Sequence, residues 1–362
     1  MERKNNHHPY VIAGPCSVES REQLRQATEV LCRVPEVKLI RGGVWKPRTR
    51  PGGFEGLGEP ALRWMQELQN SSLRMADGGP VRFCCEVARP EHVELGLHYG
   101  IEAFWMGART TANPFMVEEI CHAMRGCRLK VMVKNPVSPD VRLWLGAIER
   151  VEQAGIATVA AVHRGFNVYG SRWSTDDKKR QPGYRNDPLW EIPMELRRLR
   201  PTLPILCDPS HIGGRADLVA PLASKAMQLD YDGLMIEVHP TPPDAWTDAD
   251  QQLTPDALVA LLHTLPTPSA DPQDNPAVEM LRRQIDDIDH EALRLLARRM
   301  KLSHQMADLK QELQMSVYQP QRWHEVMRDR LSLAASLGHN PELIKELMEK
   351  IHAESVRVQM EP

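Results

Sequence analysis

The chain lacks any uninterrupted apolar run near the ~18 residues of a membrane span, and its opening, MERKNNHHPY, has no apolar core for a secretory signal. Neither a membrane-spanning nor an exported protein is expected, and the expected address is cytoplasmic. A positive charge excess is also missing. Lys+Arg number 45 against 48 Asp+Glu, a net charge of -3, which argues against a nucleic-acid binder held by a basic surface. The seven cysteines include no CxxC pair and are odd in number, and 362 residues can bury a core without staples, so reduced thiols are expected. No repeat at a fixed period points to a solenoid.

Glycine is nearly missing from the end of the chain. Of 22 glycines only Gly338 lies beyond residue 276, and only two aromatics, Tyr318 and Trp323, fall there. Just ahead, PTPSADPQDNP (266–276) has the prolines and small polar residues of a solvated linker. The expected organisation is a domain over 1–265, a linker over 266–276 and a second domain over 277–362.

Eight short apolar or β-branched runs precede the linker: YVIAG (10–14), VKLIRGG (37–43), VRFCCEV (81–87), AFWMGAR (103–109), KVMVKNP (130–136), TVAAVHRG (158–165), PILCDPS (204–210) and GLMIEVH (233–239). Helical patterns separate them, such as SREQLRQATEVLCRV after the first. Near-continuous apolar runs suit strands buried on both faces, and eight alternating with helices suggest an α/β protein with a (β/α)8 TIM barrel; a doubly wound open sheet is the alternative. Beyond the linker, apolar residues at 281, 285, 288, 292, 293, 295, 296, 302, 306 and 309 predict one long amphipathic helix. A second helix opens at Pro320 and ends near Leu337, and a third starts with Asn340 as N-cap and Pro341 at its first position. So small an all-α unit buries its apolar stripe best against a second copy, so a dimer is expected.

In a barrel, chemistry gathers where strands end. Cys16 follows the first run, His211 the seventh and Glu237 closes the eighth, with Asp248 in the loop beyond. One thiolate, one imidazole and two carboxylates suit a divalent Mn, Fe, Co or Zn ion better than Mg. Taken singly, each is more readily an ordinary buried or surface side chain; their convergence makes the metal reading. A cationic set, Arg41, Lys46, Arg109, Lys134 and Arg164, would ring the same mouth. Guanidinium forks bind phosphate and carboxylate, which implies a phosphorylated, carboxylated small molecule and metal-assisted carbon–carbon bond formation.

The ordered motifs AGPCSVE, KPRT, GART, VKNP, HRG, CDPSH, IEVHP and DADQQL resemble the type I beta 3-deoxy-D-arabino-heptulosonate 7-phosphate (DAHP) synthases over residues 9–265. The resemblance implies a metal-dependent barrel that condenses phosphoenolpyruvate with erythrose 4-phosphate, the first step of the shikimate pathway. It implies Cys16, His211, Glu237 and Asp248 as metal ligands. Arg41, Lys46, Arg109, Lys134 and Arg164 would hold phosphoenolpyruvate, and Arg48 and Thr49 the aldose phosphate. KPRT separates this activity from that of the related 3-deoxy-D-manno-octulosonate (KDO) 8-phosphate synthases, whose motif resembles KANRS. After KPRT the chain reads RPGGF where the family commonly has SPYxF.

At ~100° per residue, Arg299 and Lys310 fall within ~20° of one face of the long helix, Arg282 falls ~100° away, and Ser355 and Gln359 share a face of the last helix. On helical geometry alone, a solvated helix surface is the favoured explanation of such charges. LRRQIDDID, LLARRM, Lys310 and ESVRVQ, however, resemble the all-helical AroQ-class chorismate mutases. That implies Arg282 (from a partner subunit), Arg299, Lys310, Arg322, Ser355 and Gln359 around chorismate, with Lys310 and Gln359 on its ether oxygen. Gln319 and Trp323 stand where that family usually has an acidic residue and a Glu. The unit is expected either to rearrange chorismate to prephenate or to serve chiefly as a regulatory module through which prephenate or chorismate inhibits the barrel.

Overall fold

The computed structural model describes residues 9–46, 52–167, 183–266 and 276–360. The chain divides into two compact units, Met1–Ser269 and Ala270–Pro362.

In the first unit, eight strands lie one within each apolar run: β1 (Tyr10–Gly14), β2 (Val37–Arg41), β3 (Phe83–Val87), β4 (Ala103–Met106), β5 (Lys130–Lys134), β6 (Thr158–His163), β7 (Ile205–Cys207) and β8 (Gly233–Glu237). Each pairs in parallel with the next, and β8 closes onto β1 from Tyr10–Gly233 to Gly14–Glu237. The barrel has no free edge, so the open-sheet alternative does not hold. Intervening helices start at side-chain caps that satisfy orphan N–H groups: Ser20 accepts from Gln23 N, and Asp140 from Arg142 N and Leu143 N.

Side chains alternate along each strand, so one row packs outward against helices and the other fills the barrel. Val11 and Ala13 belong to the outer core, whereas Ile12 joins Leu39, Cys84, Trp105, Met132, Val162, Leu206 and Met235 inside. This parity positions the chemistry. Two residues beyond Leu39, Met132, Val162, Leu206 and Met235 come Arg41, Lys134, Arg164, Asp208 and Glu237, which continue the inward rows at the C-terminal rim. Two glycines let the first loops approach one another. A Cβ on Gly14 would lie 2.1 Å from the Arg41 carbonyl oxygen, and one on Gly43 would lie 2.1 Å from that of Cys16.

The second unit consists of three helices, Pro276–Glu312, Pro320–Ser336 and Pro341–Met360. The first, at 37 residues, outruns its neighbours. Leu281, Ile288, Leu295, Leu302 and Leu309 recur on it every seventh residue, and each is 49–65% exposed. Strict seven-residue spacing is the pattern of a helix that packs against another helix. Among the described residues, no helix is long and apolar enough to cross a membrane.

Candidate active site

Within the barrel rim, one donor atom each from Cys16, Glu237 and Asp248 lies within 4.8 Å of the others. Cys16 and Glu237 are fully buried. Cys16 Sγ lies 3.3 Å from Asp248 Oδ2, and Lys46 Nζ donates to Sγ at 2.9 Å. His211 stands at the edge of this triplet, its Nε2 3.7 Å from Glu237 Oε1 and its Nδ1 2.8 Å from Asp208 Oδ2. Nδ1 makes no hydrogen bond among the described residues, so the Asp208 carboxylate beside it is a close charge contact that leaves Nε2 as the nitrogen nearer Glu237.

The residues present fit a divalent ion. Glu237 Oε1 is buried without a hydrogen-bond partner among the described residues, although Arg41 Nη2 forms an ion pair with it at 2.9 Å. A thiol, an imidazole and two carboxylates combine soft and hard donors, as borderline divalent ions require. Burial, with the Glu237 carboxylate adding to it, pushes the Cys16 thiol up to about 12, so a ligating thiolate needs a positive charge to replace its proton. Burial alone would raise Asp248, but the Arg185 guanidinium and His211 hold it well below the usual carboxylate range. Asp248 also adopts φ 50°, a left-handed conformation that Asp tolerates better than most residues.

Beside the triplet the cations outnumber the carboxylates. Lys134 Nζ pairs with Asp208 Oδ2 at 2.7 Å, both groups buried, and Arg41 pairs with Glu237. The Trp105 ring lies under both cations, 5.0 Å from Arg41 Cζ and 5.8 Å from Lys134 Nζ. Arg41 Nε and Nη1 are nonetheless buried without hydrogen-bond partners among the described residues. Arg164 meets Asn186 Oδ1 at 2.9 Å; burial, then the guanidiniums of Arg185 and Arg109, push it down to about 10. Unsatisfied guanidinium N–H groups and mutual repulsion among arginines are what a bound anion relieves.

The barrel therefore brings together Cys16, Arg41, Lys46, Lys134, Arg164, His211, Glu237 and Asp248. Arg109, in the short helix Ala108–Thr111 that follows β4, is exposed and near enough to Arg164 to repel it. Arg48 and Thr49 lie outside the described residues, as do residues 267–275 of the expected linker.

Sequence reasoning missed the groups that hold these in place. Arg185 Nη1 donates to Asp248 Oδ1 at 2.9 Å and to Gln251 Oε1 at 2.6 Å, while Gln251 Nε2 donates to Glu237 Oε2 at 2.6 Å. One guanidinium thus braces two members of the triplet. Gln252 Oε1 accepts the Cys16 N–H at 3.0 Å, and Asn135 Oδ1 accepts the Arg164 N–H at 2.7 Å. Gln251 and Gln252 stand within the DADQQL motif. Arg185 follows no strand directly, and nothing in its local sequence sets it apart.

In the helical unit, Arg299 Nη1 donates to Ser355 Oγ, and Lys310 Nζ donates to Gln359 Oε1 at 2.9 Å. Burial lowers both Arg299 and Lys310. The contact between the first and third helices therefore gathers four of the six expected groups. Arg322 pairs with Glu325 at 3.1 Å, both exposed. Arg282 lies 17 residues before Arg299, about 25 Å along a straight helix, too far to share this pocket within one chain.

A sequence profile of the DAHP synthetase I family matches residues 3–269, and one of chorismate mutase type II matches residues 281–360. The phospho-2-dehydro-3-deoxyheptonate aldolase of Thermotoga maritima is 31% identical over 244 residues, 67% of this chain and 64% of that protein, so the match spans less than two thirds of this relative. A crystal structure of the T. maritima aldolase (DAHP synthase) superposes with a TM-score of 0.58 at 29% identity, covering 71% of this chain and 68% of the other. The T-protein of Enterobacter agglomerans is 33% identical over 75 residues, 21% of this chain and 20% of its own length.

Proposed function

The chain belongs to the DAHP synthetase I family, and from that membership we propose that its barrel condenses phosphoenolpyruvate with erythrose 4-phosphate to DAHP and phosphate, while its helical unit rearranges chorismate to prephenate. The observation that supports the first activity is the Cys16–Glu237–Asp248 triplet set against buried cations that have hydrogen-bonding capacity to spare.

Cys16, His211, Glu237 and Asp248 would hold a divalent ion, Mn, Fe, Co or Zn. Bound there, it would supply Lewis-acid polarisation of the aldehyde oxygen of erythrose 4-phosphate. The protein's own groups do the remainder. Lys46 Nζ, 2.9 Å from Cys16 Sγ, stabilises the thiolate form by donating to it. Asp208, 2.8 Å from His211 Nδ1, would hold that ring with Nε2 toward the metal. Arg41, Lys46, Arg109, Lys134 and Arg164 bind the phosphate and carboxylate of phosphoenolpyruvate and present its C3 to the aldehyde, so that much of the barrier falls to positioning and fixed charge. Arg48 and Thr49 take the phosphate of the aldose, and KPRT favours erythrose 4-phosphate over the arabinose 5-phosphate of the KDO 8-phosphate synthases.

In the helical unit, Arg299, Arg322 and a partner's copy of Arg282 would clamp the two carboxylates, with Ser355 orienting Arg299. Lys310 and Gln359 donate to the ether oxygen, where negative charge grows during the rearrangement. The exposed heptad stripe supports a homodimer through this unit, since a second copy would bury it. Fusion of a first-step barrel to a later-step site supports feedback inhibition by prephenate or chorismate. A second reading, a regulatory module with weak mutase activity, is favoured by Gln319 and Trp323 in place of the usual acids.

Full-length protein stripped of metal, titrated with divalent ions and offered erythrose 4-phosphate or arabinose 5-phosphate, tests the barrel. Metal-restored turnover of the first aldose alone is expected; turnover of the second instead, or none, refutes the assignment. Chorismate consumption by the same protein tests the mutase, and its absence leaves the regulatory reading. A synthase rate indifferent to prephenate and chorismate refutes feedback.

A further inference from the structure

His352 lies on the third helix one turn before Ser355, so that His352, Ser355 and Gln359, at i, i+3 and i+7, share a face. Its imidazole stacks on the Trp323 indole, with centroids 3.9 Å apart and planes 12° from parallel; Tyr318 stands 6.0 Å away. The stack fixes the ring, yet Nε2 is buried with no hydrogen-bond partner among the described residues. Burial, then the charges of Arg299 and Lys310, lowers its basicity, which keeps the ring neutral and places it beside the polar groups of the pocket. A buried ring nitrogen with nothing to bond is costly unless a ligand supplies the partner.

The chemistry of the substrate leaves one group over. In the proposed mutase reading two carboxylates take the guanidiniums and the ether oxygen takes Lys310 and Gln359; the ring hydroxyl remains without a partner, and Gln319 and Trp323 offer it no acid. We infer that His352 is a substrate-binding residue of the mutase pocket, whose Nε2 hydrogen-bonds the ring hydroxyl of chorismate while Trp323 holds the imidazole in place. A neutral imidazole both accepts and donates, as a hydroxyl does, so the exchange of an acid for an aromatic at 323 is offset by a polar ring one helix away. This inference rests on the mutase reading above.

The test compares chorismate with an analogue lacking the ring hydroxyl, using full-length wild type, His352→Met and His352→Gln, with an unchanged helical circular dichroism signal and sedimentation as the sign of an intact helical unit. His352→Met is expected to lower kcat/KM for chorismate by about tenfold to a hundredfold and to leave the analogue unchanged; the amide of His352→Gln should recover part of the loss on chorismate alone. Equal losses on both substrates in both variants would show a structural role and overturn the inference, as would an undiminished rate in His352→Met. Absence of chorismate turnover by wild type would overturn the mutase reading itself and the role of His352 with it.

Discussion

The two units solve the same problem, a group of cations held close together, with different means. The barrel closes on itself, and its cations are tolerated because the same rim supplies acids: Glu237 for Arg41, Asp208 for Lys134 and Asp248 for Arg185. Among the described residues of the helical unit no acid pairs with Arg299 or Lys310, which bond instead to Ser355, Gln359 and backbone carbonyls. It also leaves a heptad stripe uncovered. Fixed charge needs burial and countercharge in the first case, and only a second helix surface in the second. The barrel gathers its groups within one chain, whereas the proposed helical site would draw Arg282 from another copy.

The sharpest break should come at the barrel triplet. Cys16→Ala removes a donor of the triplet, and Glu237→Gln removes a ligand charge and leaves Arg41 without its buried countercharge. Synthase turnover should fall by about a thousandfold or more, matching several kcal/mol of lost stabilisation. Metal content of the purified protein should fall with it, while chorismate turnover persists; retention of both metal and synthase rate would remove the triplet from the site.

The converse break is Leu295→Glu on the stripe. A charge at each of two facing positions should dissociate the helical dimer, seen by sedimentation, and lower mutase activity by roughly a hundredfold through loss of the partner's Arg282, whose fixed charge is worth a few kcal/mol. Metal-dependent synthase turnover should survive. A variant that stays dimeric and active would place the interface elsewhere.

A smaller effect sharpens the role of the bracing groups. Arg185→Ala removes the hydrogen bonds to Asp248 and Gln251 but no donor of the triplet. Divalent affinity should weaken by about 10- to 100-fold, as for other outer partners of metal ligands. Recovery of the synthase rate at high metal concentration would distinguish positioning from substrate contact.

That residue also marks the limit of the sequence. Strands and rim were legible because an apolar strand dictates what its ends must do: two residues past Met132 or Met235, the inward row must emerge at the rim, so Lys134 and Glu237 could be read directly. Pairings across the barrel were not legible. Arg41 meets Glu237 because β1 alone separates β2 from β8, and that follows from closure rather than from either local sequence. Arg185 lies 22 residues beyond β6, and its place in the site follows from long-range bonds, its own N–H to Gly213 O, Asn186 to Ile212 and His211, and His163 to Pro188. In the helical unit, periodicity aligns Arg299 with Lys310, but nothing in the sequence around His352 marks it, and its stack on Trp323 exists only in the folded unit.

The smallest expected effect concerns pH and separates the buried barrel from the open helices. His163 is fully buried; its Nε2–H donates to Pro188 O at 2.6 Å and its Nδ1 accepts from Tyr231 OH at 2.9 Å, which anchors the loop carrying Arg185. Burial pushes its basicity down to about 3 from an ordinary 6.5. Between those values the unfolded chain takes up a proton that the native barrel refuses, so stability rises with pH across the window and is lost on acidification, by about 1.4 kcal/mol per unit at most. The barrel should therefore lose roughly 2 kcal/mol between pH 6.5 and 5 from this residue. His163→Gln should lower the melting temperature at pH 8, where both native hydrogen bonds are fully formed, yet flatten its fall toward pH 5. Parallel melting curves for wild type and variant from pH 8 to 5 would mean that His163 takes up its proton without unfolding the barrel, and that the acid sensitivity of the site lies with Asp208 and Glu237 at lower pH.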